Sequence, residues 1–179
     1  MTKTFASAGD LTEKTISFGE IGPGLFAFTA EGDPNTGVII GDDSVMIVEA
    51  QATPRLARKV IEKVGEVTDK PIERIIVSHY HADHIYGLQA FKQHAGNPPV
   101  WAQRLALGYV DGSAASQGED AERRLEQRRQ ALFPWVDENT YIVTPDHTFE
   151  DQLQFEVGGI HFRVNHLGPA HAPGDAVML

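Results

Sequence analysis

Three features predict an α/β fold. Near-continuous apolar runs suit strands covered on both faces. Amphipathic helical segments lie between those runs. A cluster of histidines stands where one of the strands ends. In α/β proteins the carboxyl ends of strands are where loops converge and sites form.

The elements can be justified in chain order. Residues 1–15 are polar and small and are expected to be a loose lead-in. "GLFAFTA" and "NTGVIIGDDSVMIVEA" read as strands with a tight turn at "GDDS". Within them, Val38 to Ile40 and Val45 to Val48 are the apolar runs. "ATPRLARKVIEKVGEV" is a helix with Thr53 as its cap and Pro54 in its first turn. Leu56, Val60, Ile61 and Val64 form its buried stripe.

"IERIIVSH" is a further buried strand, and "DHIYGLQAFKQHAG" reads as one helix ended by Gly96, with Ile85, Leu88 and Phe91 inward. "VWAQRLALGYV" is a short strand followed by a helix. "QGEDAERRLEQRRQALFPW" is a charged helix with Leu125, Leu132 and Phe133 inward. Its Arg123, Arg124, Arg128 and Arg129 are read as a solvated face balanced by Glu119, Asp120, Glu122 and Glu126, in preference to a basic patch. "TYIVT", "TFEDQLQFEVGG" and "IHFRVNHLG" are strand patterns, the last two joined by a "GG" hairpin turn. "AVML" reads as the opening of a buried strand. The whole, 1–179, is expected to be a single domain.

The 179 residues suffice for one domain with a core of its own. A hydrophobic share of 41%, a charged share of 22% and a net charge of -10 argue against nucleic acid and anionic membranes as partners. The absence of cysteine removes disulfides, thiolate metal sites and a cysteine nucleophile. Neither a signal peptide nor a membrane span is visible, so a cytoplasmic location is expected.

The chemistry concentrates in "SHYHADHIYG", Ser78 to Gly87. Imidazole and carboxylate are the zinc ligands available when thiolates are absent. His79 and His81 are two apart, so in extended backbone they point to one side and can share a metal. Asp83 and His84 follow as the chain turns into a helix and suit a neighbouring metal. Two metals about 3.5–4 Å apart can hold a water and lower its pKa. A packing role does not explain three histidines and an aspartate in six positions. Packing is the preferred reading for Tyr80 and Tyr86, and a capping or structural role for His94 and His147. His161 and His166 lie on or near the hairpin and are read as outside the site.

"HYHADH" resembles the HxHxDH signature of the metallo-β-lactamase superfamily. "TGVIIGDDSVMIVEA" is similar to that family's early strand pair, with Glu49 where aspartate is usual. "GPAHAPGDAVML" resembles the later segment that supplies a third histidine, here His171. The resemblance implies an αββα sandwich, of which this chain carries the first half and part of the second. It implies His79, His81 and His171 as ligands of one metal, and Asp83 and His84 as ligands of a second. With only one metal bound, Asp83 would also act catalytically, orienting or deprotonating the attacking water. The implied function is that of a zinc-dependent hydrolase, with one or two Zn2+ per site, acting on a small-molecule ester, thioester, lactone or lactam. His81 stands where oxygen-reducing members carry glutamate, which favours hydrolysis.

Family members normally add a bridging aspartate and a last histidine further on. The sequence stops before both, and Asp175 lies too close to His171 to bridge. A C-terminally incomplete domain is therefore expected, with His166 the nearest substitute ligand and a homo-oligomer covering the opened sandwich. The alternatives are a metal-deficient associating domain and an iron-dependent sulfur dioxygenase of the same superfamily.

Overall fold

The computed structural model describes residues 13–111 and 121–179. Most of the expected lead-in, and the start of the charged helix, lie outside the described residues.

Seven strands form one sheet in chain order. They are β1 (Ile16–Gly22), β2 (Leu25–Ala30), β3 (Thr36–Ile40), β4 (Val45–Val48), β5 (Ile72–Ile76), β6 (Val100–Gln103) and β7 (His147–Phe149). The first four pair antiparallel, with Gly37 opposite Val48 in the β3–β4 ladder. From β4 onward the pairs are parallel, with Ile47 beside Ile75 and Ile76 beside Trp101. Parallel neighbours need crossovers. These are supplied by α1 (Pro54–Val67), by α2 (Ala82–Ile85) with α3 (Leu88–His94), and by α4 (Arg104–Val110) with α5 (Ala121–Leu132).

The apolar runs are double-faced because the sheet is covered on both sides. Val38, Val45, Ile47, Ile75 and Val100 pack with Leu56, Val60, Leu88, Phe91 and Leu125 of the helices. Alternate residues Ile39, Met46 and Ile76 meet Val157 and Phe162 of a second, three-stranded sheet. That sheet is β8 (Gln152–Val157), β9 (Ile160–Asn165) and β10 (Val177–Met178), in the order β10-β9-β8. The expected "GG" turn joins β8 to β9, with both glycines at positive φ. The outward residues Gln152, Gln154, Glu156, His161 and Arg163 are exposed. The described residues thus make a helix layer and two facing sheets, as expected for the first half of the sandwich and part of the second.

Thr53 caps α1 as expected, accepting from Leu56 N at 3.2 Å. Several local expectations need correction. β1, unforeseen in the sequence, pairs along β2 and stacks Phe18 on Phe26 at 5.2 Å. The single helix expected after the histidines is two, because Gly87 N donates to Gln51 O at 3.0 Å instead of to the preceding turn. A Cβ on Gly87 would lie 1.8 Å from Ala50 O, so only glycine fits there. "TYIVT" is not a strand; Gln89 takes its backbone, accepting from Tyr141 N at 3.0 Å.

Phe133 is 63% exposed, since the chain turns just after Leu132. The arginines of α5 are not simply a solvated face. Arg124 donates to Tyr109 O at 2.7 Å, and Arg129 to Thr140 O at 2.8 Å. β10 is an edge strand with Val177 half exposed, not a buried one. Among the described residues, no helix is long and apolar enough to cross a membrane.

Candidate metal centre

The centre lies past the carboxyl ends of β4 and β5. Two distant segments build it: the turn from Ser78 to His84, and the loop around His171 that leads into β10. Ala176 N donates to Ser78 O at 2.9 Å, which ties the second segment to the first. Gly174 packs against α4, where a Cβ would come within 2.5 Å of Ala106 N. Asp175 Oδ2 then accepts from His171 N at 2.5 Å and Ala172 N at 2.9 Å. Burial pushes the Asp175 pKa up, but these backbone donors outweigh it and hold the carboxyl below its ordinary range. Asp175 is a loop clasp.

His79, His81 and His171 each offer a ring nitrogen, and these atoms lie within 4.8 Å of one another. His171 Nε2 stands 2.9 Å from His81 Nδ1. His79 Nδ1 faces Ser78 Oγ at 2.9 Å, which leaves its Nε2 as the inward atom. That Nε2 is buried without a hydrogen-bond partner. A buried, unpartnered imidazole nitrogen is costly unless something accepts its lone pair. Two nitrogens on a tetrahedral zinc are about 3.3 Å apart, so the spacing here fits with small side-chain adjustment. Burial first, then the neighbouring His84, lowers the His79 pKa from 6.5 to about 4, against the pull of Glu49. His79 is therefore neutral at pH 7, the form that binds metal.

Asp83 and His84 are beside this triad but not part of it. The His84 ring is 4.0 Å from the His79 ring, centroid to centroid. Its Nε2 is 3.7 Å from Asp83 Oδ2. The Asp83 side chain is about half exposed at the start of α2. His84 Nδ1 bonds Glu49 Oε2 at 2.8 Å. Burial disfavours the charged His84, but the hydrogen bond and charge of Glu49 outweigh it and raise the pKa.

Glu49, which stands where the resembling family usually carries aspartate, has no expected role from the sequence but a clear one here. It is 8% exposed, and its Oε1 also accepts from Ser78 N at 2.8 Å. Its φ of 69° is a left-handed conformation rare for a side-chain-bearing residue. The signal available in the sequence was a carboxylate ending an apolar strand, at the position where the resembling family carries aspartate.

The other expectations separate cleanly. His166 Nδ1 is 2.7 Å from Asp175 O, so this ring braces the His171 loop. His166 is absent from the metal-competent group. His161 is exposed beside Glu156, and His147 lies on β7, tilted over Trp101 at 4.4 Å. Tyr80 and Tyr86 are buried, as packing residues should be.

Residues 29–178 match the family model described as the metallo-beta-lactamase superfamily. The chain belongs to that superfamily, whose members typically bind metal ions. A linear primary-alkylsulfatase from a Pseudomonas species is 27% identical over 164 residues, covering 79% of this chain and 30% of that protein. A metallo-β-lactamase from Pontibacter korlensis shares the fold with a TM-score of 0.66 at 15% identity, covering 92% of this chain and 66% of that one. A stereoselective inverting sec-alkylsulfatase from Pseudomonas sp. also superposes with a TM-score of 0.66, at 22% identity over 90% of this chain and 29% of that one. The chain thus spans less than a third of the length of the alkylsulfatases it matches.

Proposed function

We propose that this chain is the metal-binding core of a zinc-dependent hydrolase that cleaves an ester-type bond in a small molecule. The observation that carries this reading is the convergence of His79, His81 and His171 from two distant segments, with His79 Nε2 buried and unpartnered. In this reading these three residues hold one ion, and Asp83 and His84 attend a second position. Bound zinc would supply Lewis acidity and a coordinated water of lowered pKa.

The chain's own groups do the rest. Ser78 Oγ engages His79 Nδ1 and directs Nε2 inward. Glu49 fixes the His84 ring from behind. With the second position empty, Asp83, half exposed and beside His84, is the group to accept a proton from the attacking water. The likeness to alkylsulfatases puts sulfate esters first among candidate substrates, ahead of carboxylic esters, thioesters, lactones and lactams. A single domain is part of the proposal. So is association of copies at β10, which is an edge strand among the described residues and can invite a neighbour.

The test is metal content of protein purified without chelator, together with hydrolysis of a panel of alkyl sulfates, esters and thioesters. One to two zinc ions per chain and turnover of one class are expected. His79→Ala should lose metal affinity by more than the ~10–100-fold typical of losing an outer partner, with the far-UV spectrum unchanged. A wild-type chain that carries iron, or takes up no metal, overturns the zinc reading. Light scattering gives the mass of the assembly, and a monomer would remove the oligomer from the proposal.

A further inference from the structure

The metal centre touches a group of residues that its chemistry does not use. Tyr80 lies between His79 and His81 in sequence and is 6% exposed. Its ring stacks on Tyr109 of α4, with centroids 4.4 Å apart and planes at 17°. The same ring meets His81 at 4.7 Å in a T-shaped arrangement. Arg124 of α5 places its guanidinium carbon 5.3 Å from the Tyr80 ring centre. Arg124 Nη2 also donates to Tyr109 O at 2.7 Å. One guanidinium thereby engages both members of the tyrosine stack.

We infer that Arg124 is a positioning residue of the metal centre, acting on His81 through Tyr80. The His81 ring meets His79 at 4.8 Å, His171 at 4.6 Å and Tyr80 at 4.7 Å. The first two are ligands in the reading above, and both must adjust when an ion enters. Tyr80 is the wall against which His81 is held. An aromatic contact of this kind has a preferred geometry and so restricts the imidazole's rotation. A tyrosine ring is itself fixed only if its other side is packed, and here the Tyr109 stack and the Arg124 cation do that. The planar guanidinium can lie over the ring while it donates to the carbonyl, which an ammonium does less well. Outer groups that orient metal-binding histidines are worth about 10–100-fold in affinity. This explains why α5, a helix with few apolar residues, is anchored by an arginine directly behind the histidine turn.

The inference rests on the metal reading, so its test has a part that needs no metal. Wild type, Arg124→Met, Arg124→Gln and Arg124→Lys would be compared by Co2+ and Zn2+ titration against a chelator, by the visible spectrum of the Co2+ form, and by NMR of the His81 ring in the metal-free chain. Arg124→Met should weaken metal binding about 10-fold, shift the Co2+ bands and move or broaden the His81 ring signals. Arg124→Lys should restore less than half of the loss. Should Arg124→Met fail to fold, Arg124→Gln, which removes the charge and shortens the side chain but stays polar, is expected to give the same changes. Wild-type affinity, Co2+ spectrum and His81 signals in the folded variant would overturn the inference. A wild type without metal affinity would sink the zinc reading alone. The His81 signals would then decide the inference, and their constancy in the variant would overturn it.

Discussion

Glu49 shows how much one side chain decides at this site. Its two carboxylate oxygens reach the two ends of the histidine turn, Ser78 N and His84 Nδ1, from a backbone held at positive φ. Glu49→Gln keeps an oxygen for Ser78 N but removes the charge that His84 faces. Hydrogen bonds to charged groups contribute about 1.5–3 kcal/mol, so a loss of that order is expected in urea unfolding of the metal-free chain. Glu49→Gly relieves the backbone but removes both bonds. If it proves as stable as wild type, the two bonds do no more than offset the strain of the left-handed backbone. The candidate ligand types were legible from residue identity and spacing in "HYHADH". His171 was legible only through the family resemblance, because ninety positions separate it from His81. Glu49 was noticed as a departure, but its partners lie 29 and 35 residues away, beyond what spacing reveals.

At the scale of elements, the start of α1 was read correctly because capping is a local matter. Thr53, Pro54 and the apolar stripe all lie within one short window. Thr53→Ala should cost about 1 kcal/mol of stability, measured by thermal or urea unfolding, with no effect on metal affinity. The break between α2 and α3 was not legible. Tyr86 and Gly87 both have helical backbone angles, yet the chain stops being one helix because Gln51 O captures Gly87 N. Gly87→Ala would drive a methyl into Ala50 O and should leave little folded protein. A normal yield of stable Gly87→Ala would show that the β4–α1 loop can move aside. The expected strand at Tyr141 failed for a similar reason, since a side chain from α3, Gln89, took its backbone group.

For the molecule as a whole, the seams between layers depend on charge as well as on apolar contact. Asp146 Oδ2 accepts from Lys92 Nζ and from Val100 N, both at 2.7 Å, and so joins α3, β6 and the approach to β7. Burial works to raise its pKa, but these donors outweigh it and lower it below 3.8. A carboxyl with a depressed folded pKa contributes stability above its unfolded pKa, and that contribution is lost as the pH falls through the folded value. Acid unfolding of wild type should therefore include a component below pH 3.8 that is missing in Asp146→Asn. Identical acid limbs for the two proteins would show that this clip does not contribute.

The limits of the sequence follow from the range of the forces involved. Alternating and continuous apolar runs, the Thr53 cap, the glycine turn of the β8–β9 hairpin and the ligand types in the histidine turn are short-range properties. Each was readable from a few neighbouring residues. Tertiary packing alone decided that α2 and α3 would separate, and that Glu49 would hold both ends of the histidine turn. It also decided that Arg124 would lie behind the histidine turn and not in solvent. In every such case a backbone or side-chain group found its partner far along the chain. The choice between a local and a distant hydrogen bond is made only once the layers have packed and excluded water.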